Sequence, residues 1–190
     1  MEISIIRIVD KSMNNKTSNM SPQDIVVLLK IVASADEPWV QIPMAQKLGL
    51  AQSEMSRSIA RSKYAGLLDD SGRKVRRLAL MEFIQYGLPY AFPQRPGSIV
   101  RGVPTSHSAQ PLRDQIKSQE DFVWPYSKGS HRGHSIAPLY KTVPEVVIND
   151  PVLHEYLALV DAIRIGNVRE KNIAISELKN RILGSESNEK

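Results

Sequence analysis

Most of the prolines in this 190-residue chain fall between Pro89 and Pro144, in a stretch that also holds several glycines and keeps no sustained period of 2 or 3.6. Proline lacks the backbone N–H and crowds the preceding helical turn, so extended helices are confined to the two sides of that stretch. The chain divides accordingly into an arm or linker over 1–20, a helical unit over 21–88, an irregular Pro/Gly-rich region over 89–149, a helical hairpin over 150–184 and a tail over 185–190. The expected fold class is mainly α with small β elements.

With 42% hydrophobic and 24% charged residues the chain has the make-up of a globular protein rather than a disordered one. The absence of cysteine excludes a disulfide framework, a thiolate nucleophile and any Cys-containing zinc site, and a reducing cytoplasm is the expected setting. The longest apolar stretch, Ile25 to Ala33, is interrupted by Lys30 and falls well short of the roughly 20 residues that cross a bilayer, so no membrane span is expected. Glu2 and Arg7, with no small-residue cleavage site nearby, argue against a signal peptide.

The helical unit is punctuated by local signals. Ser21 is a helix cap followed by Pro22 and by Asp24 in the first turn, which predicts a helix to about Ala33. A shorter helix has Pro43 in its first turn and Gly49 just past its end. The next runs from about Gln52 to Tyr64. At about 100° per residue it places Met55, Ile59 and Ser62 on one side and Ser53, Arg57, Ala60 and Arg61 opposite, with Gln52 and Ser56 on the flank. Asp69-Asp70-Ser71-Gly72 reads as a turn, and Arg73 to Val75 as the return strand of a short hairpin with a basic arm. Arg76 to Tyr86 is helical again, with Gly87 and Pro89 as its stop.

Farther along, Phe122 to Tyr126 and Ser135 to Tyr140 are expected to pair as a hairpin across Ser127-Lys128-Gly129, and the pairs Arg101-Gly102 and Arg132-Gly133 hint at a repeated unit. Asp150 caps a helix opened by Pro151 and closed by Gly166. Asn167 and Glu170 form a capping box for a last helix carrying Ile175, Leu178 and Ile182. Within a net charge of +5, residues 52–77 hold seven basic residues against three acids, whereas 142–190 hold six against eight. The basic excess is local, and the two ends are expected to face different partners.

Ile42 to Ile59 has the layout of a helix-turn-helix. Ala45 permits close approach of two helices, Gly49 suits a left-handed turn, and Leu48, Leu50, Met55 and Ile59 fill the angle between them. Followed by Ala65-Gly66-Leu67-Leu68, the stretch from Ser21 to Arg77 resembles the winged helix-turn-helix transcription regulators of bacteria, the MarR-like ones in particular. It departs from their pattern at Ala51, where a Ser or Thr cap is usual, at Ser62, where a Leu is expected, and in a shorter wing. The resemblance implies binding of double-stranded DNA. Gln52, Ser53, Ser56, Arg57 and Arg61 would face the major groove, and Arg73 and Lys74 would form the wing, on phosphate or in a narrow minor groove. Beyond Tyr86 the chain lacks the long dimerisation helices of MarR-like proteins. Its overall layout is similar to bacterial proteins proposed as antitoxin-side regulators, which implies a protein partner.

Other chemistries lack their signatures. His131-x-x-His134 with His107 has metal-like spacing but no cysteine or nearby acid to complete a ligand set. Thr105-Ser106-His107-Ser108 sets hydroxyls beside an imidazole without a nucleophile elbow, and no phosphate-cradling glycine loop is present. No cofactor, metal or catalytic residue is expected. The expected function is sequence-specific regulation of transcription by a homodimer on half-sites about 34 Å apart. The hairpin over 150–184 either forms the dimer or partner surface or packs on the middle region, and a protein partner would engage 89–184. The alternative is a protein-interaction adaptor or antitoxin-like partner protein without catalytic activity.

Overall fold

The computed structural model describes residues 19–35 and 37–184; the strand or arm expected over Glu2 to Val9 and the tail over 185–190 lie outside them. Helix α1 (Pro22–Ala33) starts at the expected cap, with the Ser21 backbone N–H donating to Asp24 at 2.7 Å and Pro22 in the first turn. It is apolar all round and accordingly buried on almost every side, against both α3 (Gln52–Tyr64) and α7 (Pro151–Ile165). Between α1 and α3 lies the short α2 (Gln41–Lys47), and Gly49 takes the left-handed conformation, φ +62°, that turns the chain from α2 into α3. Leu48, Leu50, Met55 and Ile59 are buried in the angle so formed.

The return strand expected at Arg73 to Val75 is reduced to one bridge, Leu68 opposite Val75, because the turn over 69–74 consumes most of the available length. The helix after it also differs from expectation: it does not stop at Gly87. α4 (Arg77–Glu82) passes into a π-helical turn, Phe83–Gly87, and resumes as α5 (Leu88–Ala91). Pro89 sits in the first turn of α5, and the wider π turn before it makes room for the ring and for the missing N–H.

Among the described residues all three strands lie in the Pro/Gly-rich middle, which is therefore more regular than its sequence suggests. β1 (Ile99–Pro104) pairs antiparallel with β2 (Phe122–Pro125) through its second half and with β3 (His131–Ser135) through its first. The expected hairpin is corrected on two counts. The second strand begins at His131 rather than Ser135, and β2 meets β3 in parallel, at Phe122 opposite His134 and Val123 opposite Ser135. Glycines make this closure possible: a Cβ on Gly102 would stand 2.0 Å from the Trp124 carbonyl oxygen, and one on Gly133 2.4 Å from that of Asp121. The two Arg-Gly pairs turn out to be cross-strand neighbours, with Arg101 directly opposite Arg132 and both exposed.

After α6 (Val143–Val146), α7 is capped by Asp150, which accepts the Leu153 N–H at 3.1 Å and the Lys30 ammonium of α1 at 2.6 Å. α8 (Val168–Leu183) carries the capping box, Asn167 and Glu170 exchanging bonds of 3.0 Å, and lies against α7 and α4. The fold is thus mostly helical with a small sheet, and one hydrophobic cluster runs from α1 to α8 through the sheet residues Val103, Phe122 and Trp124. Among the described residues no helix is long and apolar enough to cross a membrane.

Where the sheet meets α7 the core holds a charge. Asp161 is 1% exposed and accepts Thr105 Oγ1 at 2.9 Å, Trp124 Nε1 at 2.6 Å and Arg164 Nη1 at 2.7 Å. Arg164 Nε donates in turn to the Phe92 carbonyl at 3.0 Å. Burial pushes the Asp161 carboxyl up, against the pull of Arg164, Thr105 and Trp124. Removing one member of a buried pair strands the other. Asp161→Ala is therefore expected to cost about 3–5 kcal/mol in urea unfolding followed by tryptophan fluorescence; a loss under about 1 kcal/mol would show that the cluster holds together without it.

Candidate functional site

The residues singled out from the sequence concentrate on α3 and the turn after it, and their surroundings separate them. The buried side of α3 consists of Met55, Ser58, Ile59 and Ser62. Two of these are small, which lets the helix approach α1 closely. On the outward side Gln52, Ser53, Ser56, Arg57 and Ala60 are exposed. Ser56 makes one long bond, 3.4 Å to Gln41 Oε1. The side chains of Gln52, Ser53 and Arg57 have no hydrogen-bond or ion-pair partner among the described residues.

Arg61 is placed differently from its sequence assignment. Its guanidinium grips the Asp24 carboxylate of α1 with two bonds, Nε to Oδ2 at 2.8 Å and Nη2 to Oδ1 at 2.6 Å. Its side chain is 14% exposed and that of Asp24 not at all. Helical geometry explains this: four residues advance about 40° beyond a full turn, carrying Arg61 past Arg57 toward the flank facing α1. The fork matches a carboxylate bidentately, and the bond to Asp24 raises the Arg61 pKa further. Arg61 is spent inside the molecule.

The turn over 69–74 is built round Asp69. Its carboxylate accepts Ser71 Oγ at 2.6 Å and the backbone N–H groups of Arg73 and Lys74 at 2.9 and 3.0 Å. These bonds, that from Ser71 above all, hold the Asp69 carboxyl down at about 2. Arg73 and Trp39 form a reciprocal clasp: Arg73 Nη1 donates to the Trp39 carbonyl at 2.7 Å, Trp39 Nε1 donates to the Arg73 carbonyl at 3.0 Å, and the guanidinium lies 5.3 Å from the indole centroid. Arg73 is therefore folded back on the segment leading into α2, while the Lys74 side chain is exposed without a partner among the described residues.

A third component carries no sequence signature. Residues 140–142, from the end of the middle region, strap the N-terminal end of α3. Tyr140 donates its hydroxyl to Glu54 Oε1 at 2.8 Å, while Glu54 Oε2 accepts the Ala51 N–H at 2.9 Å and so caps the helix that lacks a hydroxyl cap. Thr142 Oγ1 donates to the Leu48 carbonyl at 2.7 Å, and its Cγ2 lies 3.1 Å from where a Cβ on Gly49 would stand. The Ala51 N–H and the Tyr140 hydroxyl, followed by the charges of Lys141 and Arg57, hold the Glu54 carboxyl below the usual range.

The remaining candidates are dispersed. His107 is buried with Nε2 2.8 Å from the Glu120 carbonyl, His131 Nδ1 meets Ser130 Oγ at 2.9 Å, and His134 Nδ1 meets the Gly97 carbonyl at 2.8 Å. Among the described residues no group of three or more His, Asp or Glu side chains is arranged to hold a metal ion. Thr105 belongs to the Asp161 cluster, and Ser108 Oγ accepts the Phe122 N–H at 2.8 Å. Comparison with family models, with curated proteins and with solved structures finds no match to this chain.

Two outcomes follow from this geometry. Arg61→Ala is expected to lower stability by about 3 kcal/mol or more in denaturant unfolding, since Asp24 is left buried and charged; an unchanged midpoint would return Arg61 to the outward set. For Asp69, whose folded pKa lies below its ordinary value of about 3.9, the stabilising contribution is present above that value and is lost as pH falls through about 2. An NMR titration is expected to show the Arg73 and Lys74 amides unchanged from pH 7 to about pH 4 and shifting only below it; a midpoint near 4 would mean that the turn forms without the carboxylate cage.

Proposed function

We propose that the chain is a sequence-specific DNA-binding regulator of transcription, a winged helix-turn-helix in which α2 and α3 form the helix-turn-helix and α3 reads the major groove. The observation that carries this reading is the outward face of α3. Gln52, Ser53 and Arg57 keep their donors and acceptors unspent on a helix otherwise fixed by α1, by the α2 turn and by a capped N-terminus. Polar groups presented on a rigid helix suit base edges, Gln toward adenine and Arg toward guanine. Ser53 and Ser56 add small hydroxyls for bases or phosphates.

The wing contact falls to Lys74. Arg73 acts through position, holding the turn against Trp39, and Arg61 acts through Asp24. The resemblance to MarR-like regulators over residues 21–77 agrees with this assignment, as do the left-handed Gly49 and the local basic excess. A homodimer on two half-sites remains part of the proposal, because one short helix reads only a few base pairs. Leu153, Leu157, Val160, Leu178 and Ile182 are buried in the core and Ile175 is partly buried, which favours a dimer surface elsewhere than on the apolar stripes of α7 and α8.

A second reading, an adaptor or antitoxin-like partner that binds protein instead of DNA, draws on Leu78, Tyr86 and Tyr90, which are 60%, 67% and 84% exposed along α4 to α5. Salt separates the two, because phosphate contacts release counterions and an apolar interface does not. Selection of bound duplexes from a random pool at about 150 mM salt is expected to enrich a palindrome. On the enriched site Arg57→Ala is expected to cost about 1–3 kcal/mol and to relax the preference at the base it contacts, while Lys74→Ala weakens all duplexes alike. No enrichment by folded protein would overturn the DNA reading in favour of the adaptor.

A further inference from the structure

The strap over 140–142 ties a residue to the α3 face that neither the helix-turn-helix pattern nor the wing supplies. Tyr140 and Thr142 are anchored on either side of Lys141, one to Glu54 in the first turn of α3 and the other to the Leu48 carbonyl in the turn before it. Lys141 between them is exposed, makes no ion pair among the described residues, and has its ammonium 5.8 Å from the Tyr140 ring centroid. The two anchors place Lys141 beside the first turn of α3, the helix that carries Arg57. Glu54 is committed to the Ala51 N–H and the Tyr140 hydroxyl, and pairs with neither cation.

We infer that Lys141 is a phosphate-binding residue of the DNA interface, so that the surface on DNA extends beyond residues 21–77 to the 140–142 strap. The inference rests on the DNA-binding reading above. A cation anchored beside the first turn of a groove-reading helix lies where the sugar-phosphate backbone flanks the groove, and such a contact fixes register without reading sequence. The two anchors also restrict the backbone on which the lysine is mounted, which reduces the ordering cost of the contact. The strap also closes over the turn before α3, where a Cβ on Gly49 would stand 3.1 Å from Thr142 Cγ2.

The test measures affinity against salt concentration for the full chain and for Lys141→Ala and Lys141→Arg, each on an enriched duplex and on a scrambled duplex of the same length. Loss of one phosphate contact reduces the slope of log K against log salt by about 0.9. Lys141→Ala is expected to show that reduction on both duplexes, with the ratio between them unchanged, and Lys141→Arg is expected to restore the original slope. Since the Lys141 side chain carries no internal ion pair, the alanine variant is expected to keep the parent unfolding midpoint. If the parent chain binds DNA and Lys141→Ala leaves slope and affinity unchanged, the inference is overturned while the DNA reading stands. If the parent chain binds neither duplex, the DNA reading fails and the inference with it.

Discussion

Asp161 brings a carboxylate to a position with almost no solvent access, and the surrounding chain is arranged to satisfy it. One oxygen takes the Trp124 indole of β2 and the Thr105 hydroxyl at the end of β1, and the other takes the Arg164 guanidinium one turn along α7. Through Arg164 the same cluster reaches the Phe92 carbonyl, where the chain leaves α5. Three short strands depend on a hydrophobic face or on packing against a helix for their stability. A charged group that demands three donors at fixed positions gives them an orientation relative to α7 that apolar contact alone does not specify.

From α7 the order passes to the N-terminal helices. α1 is buried against α7 and α3, Asp150 holds Lys30 at one end of α1, and Asp24 holds Arg61 near the other. Two ion pairs thus pin a helix whose surface is otherwise apolar and free to slide or rotate. The consequence for α3 is a fixed inner side and an outer side with no internal obligations. The arrangement fixes the backbone of α3 while leaving its exposed side chains uncommitted.

Features that depend on neighbours three or four residues away were legible in the sequence. Ser21 with Asp24, Asp150 with Leu153, and Asn167 with Glu170 are local exchanges, and each helix begins where its cap predicts. Gly49 in the turn was legible because only its conformation is special. What escaped was set by distance in the chain. Arg61 looks outward on a helical wheel until Asp24, 37 residues earlier, claims it. Tyr140 and Glu54 are 86 residues apart, and no pattern in either segment announces their bond. In the middle region the strands close through glycines that admit a neighbouring backbone, a requirement invisible to periodicity, so the pattern places β3 four residues too late and antiparallel to β2. The π turn hides similarly, because Gly87 and Pro89 read as a stop when the helix only changes phase.

The register of β1 and β3 has one effect that reaches past the sheet. With Arg101 opposite Arg132, two like charges stand on neighbouring strands at a separation where repulsion costs a few tenths of a kcal/mol to about 1 kcal/mol. Mobile ions relieve that repulsion, so this one pairing of β1 with β3 costs less as ionic strength rises. The electrolyte round this protein therefore pulls in two directions at once, easing the strand pair while screening partly exposed ion pairs such as Lys30 with Asp150.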